Sequence, residues 1–314
     1  MAVTITKGSI KPVGSCVIIS NGFIEAAVSV EVGPRIISLR AGNGENLFYV
    51  DEEKGFFSVD ESLKTSYGKD CYYFFGGHRL WTTPEVFPET YYPDEDPVEW
   101  EQTAQGAIFT PPVRPEGLAH KIELRFAEDS AAIEVIHTVT NRSEETRQLA
   151  LWGITQMRKG GIGVTPQNDR QCAPLANRLM VHWPYNDLND PRFRTSMKYV
   201  TLRQDIYGDG SFKYGINSEK GWGGYIYGRQ MFVKRFAATP AQSIEALPYP
   251  DYGCNFESYT DRRALEVEAL SELLTLKPGE CGQHVENWSV IELPGEVPAI
   301  HTPEFDAYID ALNI

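Results

Sequence analysis

Apolar and polar residues alternate with a period of two along most of this chain, which is the pattern of strands with one covered face. Val17 to Ser20 and Phe23 to Val30 flank Asn21-Gly22, a pair suited to the positive φ angles of a type I′ turn, and together they predict a hairpin. A third strand is expected over Arg35 to Leu39, ending at Asn43-Gly44. Ile122, Leu124 and Phe126 alternate with polar neighbours, as do Ile133, Val135, His137 and Val139, with Glu128-Asp129-Ser130 as the turn between them. Leu149 to Met157, Gly224 to Tyr227, Met231 to Phe236, Leu265 to Leu270 and Gln283 to Glu292 continue the series, and Tyr249 to Glu268 reads as two adjoining strands. The helical spacing i, i+3, i+4, i+7 occurs once, in Phe305, Tyr308, Ile309 and Leu312, and predicts a C-terminal helix.

No repeat of 20 to 50 residues and no low-complexity linker divides the chain, so all 314 residues (1–314) are expected to form one all-β sandwich domain. Two long irregular stretches, roughly 56–115 and 160–194, are rich in Pro, Gly, Tyr and Trp, and loops of that length in a compact domain tend to be functional or to cover a cleft.

Charge narrows the partners. Forty-three acidic against 29 basic residues give a net charge of −14, which repels a phosphate backbone and anionic lipid headgroups, so no nucleic-acid or membrane partner is expected. With no signal-peptide pattern and no apolar run long enough to span a bilayer, a cytoplasmic protein is expected. Five dispersed cysteines without C-x-x-C spacing fit reduced thiols. No two of the six histidines have a His-x-His or His-x-x-x-His spacing, and no nucleophile elbow, phosphate-binding loop or dinucleotide fingerprint occurs, so neither metal nor cofactor is implied.

Candidate chemistry concentrates in carboxylates beside aromatics. Strand alternation sets Glu257 and Tyr259 on one face, a pairing suited to sugar hydroxyls. Glu266 and Glu268 share a face opposite Leu265 and Val267, where either solvent or a binding surface would receive them. Lys213, set between aromatics, would need a carboxylate partner if buried, and Glu257 or Asp251 are candidates. Trp81, Trp152, Trp183 and Tyr185 are candidate stacking platforms. His78 follows two glycines that permit close backbone approach, His137 reads as a core histidine, His120 and His301 fall in expected loops, and His284 with Glu286 reads as surface pairing.

Segments 33–50 (GPRIISLRAGNGENLFYV), 76–85 (GGHRLWTTPE), 141–157, 183–192, 212–217, 221–228, 249–260 and 265–280 together resemble the galactose mutarotase-like superfamily, and within it a largely bacterial branch of undetermined function. The resemblance implies a β-supersandwich that binds carbohydrate, and an aldose 1-epimerase-like enzyme in which a carboxylate takes the anomeric proton while an acid protonates the ring oxygen. By position it implies Glu257 as base and His78 as acid, with Arg79, Trp81, Glu85, Trp152, Gln156, His182, Tyr185, Lys213 and Asp251 as substrate-binding residues. The sequence departs from true mutarotases where their acid histidine lies, since the corresponding segment reads LWGITQM. A non-catalytic carbohydrate-binding or sensing protein, or a glycoside hydrolase or lyase on the same fold, therefore stand as alternatives. A sugar or oligosaccharide is the expected small-molecule partner.

Overall fold

A computed structural model describes residues 3–171, 174–205, 208, 210–239 and 248–314. Cys172 lies outside the described residues. The four described cysteines, Cys16, Cys71, Cys254 and Cys281, are free thiols. Two antiparallel sheets dominate. The first runs, edge to edge, Thr4–Ile10, Gly14–Ser20, Ile24–Ser29, Ile36–Ala41, Gly77–Thr83, Arg147–Met157, Leu265–Leu270, Phe256–Thr260, Phe212–Ile216, Met180–His182, with Leu274–Leu276 also paired to Arg147–Met157. The second runs Phe193–Thr195, Tyr199–Arg203, Ile162–Pro166, Trp222–Tyr227, Gln230–Phe236, Cys281–Glu292, Ala132–Asn141, Leu118–Phe126, Gly106–Thr110, Glu99–Gln102. Their facing sides share one apolar core, from Val17 and Leu39 through Phe109, Val135 and Leu151 to Phe232, Val267 and Trp288. Two stacked sheets on a common core make an all-β sandwich.

The expected strands are present, as is the C-terminal helix, Pro303–Ala311, which buries Phe305 and Ile309 against Trp222, Tyr199 and Met231. Thr302 caps it by accepting from the Phe305 amide at 3.1 Å, and Pro303 opens it. Three local expectations change. Asn21 sits one place earlier in its turn than a type I′ turn requires: the Asn21 amide donates to Ile24 O, Gly22 takes φ 86°, and the Asn21 side chain accepts from the Phe23 and Ile24 amides. The stretch 56–115 contains a short helix, Glu61–Tyr67, capped by Asp60 and closed by Gly68 at φ 68°. It also contains a central strand, Gly77–Thr83, which carries no alternation because all seven of its residues are buried, on both faces.

His78 sits on that strand and faces the interior. It is 0% exposed, with Nε2 2.7 Å from His137 Nε2 and Nδ1 2.9 Å from Thr155 Oγ1. Its two preceding glycines do permit close approach, but to neighbouring backbone: a Cβ at Gly76 would overlap Tyr49 O and one at Gly77 would overlap Ile36 O. His137 Nδ1 lies 3.0 Å from the His284 carbonyl, an acceptor only, so Nδ1 carries the proton. His137 Nε2 then accepts from His78 Nε2–H, and His78 Nδ1 accepts from the Thr155 hydroxyl. Every ring nitrogen of the pair is satisfied with both rings neutral, in keeping with burial, which lowers the pKa of His78 well below the usual histidine range and that of His137 to about 4.

Glu286 lies beside them, 3.1 Å from Lys234 Nζ, and accepts from Trp288 Nε1 at 2.7 Å. His284 (6% exposed) and Glu286 (0%) thus belong to the interior and not to a surface pair, and His120 is a buried strand residue, not a loop residue. The ligand atoms of His78, His137 and Glu286 come within 4.8 Å of one another, yet the histidines already bind each other and an ammonium faces the carboxylate. That is the charge pattern of a closed hydrogen-bonded cluster. Its room depends on Gly153, whose added Cβ would overlap Glu286 Oε1 and lie 3.3 Å from His78 Cε1. Gly153→Ala is accordingly expected to cost about 1–3 kcal/mol of stability through overpacking, read by denaturant unfolding. An unchanged midpoint would mean that the cluster can shift aside.

Candidate functional site

The outer face of the first sheet collects the polar residues that the inner face excludes. Cross-strand pairing sets Gln156 opposite Glu266, Glu266 opposite Tyr259 and Tyr259 opposite Lys213, so these four form one row across four strands. In the adjoining row Arg79 pairs with Ile154, Ile154 with Glu268 and Glu268 with Glu257. Trp81 and Trp152 pair in the next. Alternation alone puts all three rows on one face. The loops from 56 to 92 fold over this face and bury Leu63, Tyr72, Phe74 and Tyr91 against Trp81, Trp152 and Ile154.

A cleft of about 330 Å³ remains between sheet and loops. Arg79, Trp81, Glu85, Trp152, Tyr185, Lys213 and Glu266 line it, with Phe56, Phe74, Tyr91, Trp183 and Tyr259 completing its aromatic walls and Ser211 beside them. Its size and its mix of aromatic walls with a few polar groups are those of a small-molecule site. A larger groove of about 700 Å³ opens elsewhere, around Phe23, Tyr227 and Arg229, but it gathers no comparable set of titratable groups.

Two buried ionic groups form the floor. Lys213 Nζ lies 2.6 Å from Glu257 Oε2 and 3.1 Å from Glu268 Oε2, and it sits 4.7 Å from the ring centres of both Trp152 and Trp183. Trp152 Nε1 donates to Glu268 Oε2 at 2.9 Å. One ammonium cannot neutralise two buried carboxylates. Burial first, with repulsion from Glu268 added and the Lys213 ammonium opposing, pushes Glu257 up to about 8, while the two carboxylates hold Lys213 well above the usual lysine range against its own burial. In the second group, Gln156 Nε2 donates to Glu266 Oε1 at 2.9 Å and Arg79 Nη2 lies 3.4 Å from the same oxygen. Burial, again the largest cause, raises Glu266 to about 7 although Arg79 lowers it. Arg79 stacks over Trp81 at 4.2 Å, and Glu85 accepts from the Tyr91 hydroxyl.

The residues singled out in the sequence divide three ways. Arg79, Trp81, Glu85, Trp152, Tyr185 and Lys213 line the cleft, and Gln156 holds Glu266 from the neighbouring strand. Glu257 is 0% exposed and does not line the cleft, since Lys213 stands in front of it. His78 is turned to the opposite face of the sheet and cannot face Glu257 across one sugar. His182 is exposed and lies edge-on to Phe193 and Phe212 outside the cleft, and Asp251, exposed at φ 49°, is outside it too. Glu266 was legible only as one of two alternating carboxylates, and it proves to be the one that reaches the cavity.

No family model matches this chain, and no curated protein matches it. Solved structures do. A TPR-domain containing protein from Parabacteroides distasonis is 12% identical over 93% of this chain and 50% of its own, with a TM-score of 0.58. The Slr1438 protein from Synechocystis is 9% identical over 92% of this chain and 96% of its own, at 0.55. A galactose mutarotase-like protein from Lactobacillus casei is 13% identical over 88% of this chain and 100% of its own, at 0.53. This chain spans half the length of the first of these proteins. These likenesses are in fold: the chain shares its all-β sandwich with a galactose mutarotase-like protein.

Two measurements check the floor. Lys213→Met would take the counter-charge from the buried Glu257–Glu268 pair and is expected to cost about 3–5 kcal/mol at neutral pH, read by denaturant unfolding. A loss below about 1 kcal/mol would mean that water already screens the group. Because Glu257 has a folded-state pKa above its unfolded value, its contribution to stability is complete below about pH 4.5 and is lost as pH rises through about 8. Glu257→Gln should therefore narrow the gap to wild type, or reverse it, between pH 5 and pH 8.5. A gap that widens with pH would contradict the raised pKa.

Proposed function

We propose that the cleft binds a sugar and that the protein exchanges its anomers by acid–base ring opening. The observation that carries this reading is Glu266, a carboxyl in an aromatic-walled cleft with a pKa near 7, where a side chain can both take and return a proton. Aromatic walls suit the apolar face of a pyranose, and Arg79, Lys213, Glu85 and Tyr259 suit its hydroxyls. The fold shared with a galactose mutarotase-like protein supports the same reading.

In the proposed sequence the ionised Glu266 takes the proton from the anomeric hydroxyl as the bond from C1 to the ring oxygen breaks. Lys213 gives a proton to that oxygen, and the carboxyl of Glu257 behind it restores the ammonium. Rotation about the C1–C2 bond and the reverse transfers close the ring in the other configuration. Burial, the largest cause, and the groups facing Glu266, namely Arg79, Glu268, Lys213 and Gln156, together set the pH at which it ionises.

A second reading, non-catalytic sugar binding, is favoured by one observation: no histidine is among the described residues lining the cleft. Anomer-exchange NMR separates the two. Accelerated α/β exchange is expected, rising with pH through about 7, and Glu266→Gln should lower it at least about 100-fold while sugar affinity changes by less than about 5-fold. Sugar binding with exchange no faster than in buffer would establish the binding protein and remove the enzyme.

A further inference from the structure

We infer that the sugar carries an oxyanion, a carboxylate or a phosphate, and that the Arg79 guanidinium receives it. The inference rests on the sugar reading of the cleft and adds to it the class of sugar.

Of the two cations among the described residues lining the cleft, Lys213 has its charge engaged by Glu257 and Glu268. Arg79 does not. It is 3% exposed, and its Nε and Nη1 have no hydrogen-bond partner among the described residues. Its one carboxylate contact, Glu266 Oε1, lies at 3.4 Å from Nη2, beyond the usual 2.7–2.9 Å of a charged pair. That carboxyl is also already shared with Gln156, and burial raises its pKa to about 7, which weakens it as a counter-charge. The other carboxylate of the cleft wall, Glu85, is taken by the Tyr91 hydroxyl. A buried guanidinium without a full counter-charge and with unpaired N–H groups is costly on its own.

Geometry restricts what can relieve it. The guanidinium carbon lies 4.2 Å from the Trp81 ring centre and 5.2 Å from that of Phe74, so aromatic rings take up part of its surroundings and its N–H edges are what bind a polar ligand. Planar N–H edges match the paired oxygens of a carboxylate or phosphate, and hydrogen bonds to a charged acceptor are about twice as strong as those to a neutral hydroxyl. An anion seated there would also repel the Glu266 carboxylate and keep its proton on longer, which moves the ionisation of Glu266 upward when such a sugar is bound.

The test compares D-glucose, D-glucuronate and D-glucose 6-phosphate at pH 7 by calorimetry and NMR, on wild type, Arg79→Gln and Arg79→Lys. One of the two acids is expected to bind at least about 10-fold tighter than glucose, with the preference shrinking as salt is added. Which acid it is identifies the carboxylate or the phosphate. Arg79→Gln should bring that acid to within about 3-fold of glucose. Arg79→Lys, which keeps charge and most of the stacking stem, should retain part of the preference and serves if Arg79→Gln does not fold. Glucose binding as tightly as both acids would overturn this inference and leave the sugar reading standing. Failure of all three to bind would overturn both.

Discussion

The floor of the cleft depends on a single ammonium. Lys213 stands between Glu257 and Glu268 at 2.6 and 3.1 Å, with two indole rings over it, and three ionisable side chains thereby occupy a position from which water is largely excluded. Two carboxylates on neighbouring strands would repel each other if left alone, and their cross-strand pairing forbids them to separate. Lys213, on the strand next to Glu257, makes that pairing tolerable. The excess negative charge is then accommodated by protonation, so a proton with an affinity near neutral pH is fixed within reach of the cavity.

A second ammonium answers it from the other side of the sheet. Lys234 reaches out of the second sheet to donate to Gly153 O at 2.8 Å and Val267 O at 3.1 Å, the carbonyls adjoining Trp152 and Glu266 or Glu268 in sequence. Strands Arg147–Met157 and Leu265–Leu270 thus run between two buried ionic groups, Lys213 with its glutamates above and Lys234 with Glu286 below. The glutamates of the upper group are on a floor that cannot flex freely, because a shift of either strand would also break the lower contacts.

The fold was legible because most strands have one face on the core and one toward solvent or cleft, which writes itself as alternation: Leu265–Leu270 is found at its expected bounds. Gly77–Thr83 was not, because covering both of its faces erases the period on which the reading relies. The same limit governs the site. A histidine beside an arginine and a tryptophan on a strand must point to the opposite face from both, so the alternation that brings Arg79 and Trp81 into the cleft turns His78 into the core. Once Gly77–Thr83 is recognised as a strand, His78 can no longer share a site with them. Glu266 and Glu268 do share a face as their spacing says, and strand pairing adds Glu257 to it, but their order of depth follows from Lys213 and the covering loops, which no spacing records.

In the proposed reaction, depth in turn assigns the roles. A carboxyl at the bottom, screened from the cavity by Lys213, can supply protons but cannot touch a ligand, whereas Glu266 can do both because its neighbours are an amide and a distant guanidinium instead of a close ammonium. Had Arg79 closed on Glu266 as tightly as Lys213 does on Glu257, the pair would have neutralised itself and the cleft would hold no group poised near neutral pH and no unsatisfied cation. The 3.4 Å separation therefore leaves Arg79 unsatisfied, and in the inferred complex the anion that completes it also raises the ionisation of Glu266.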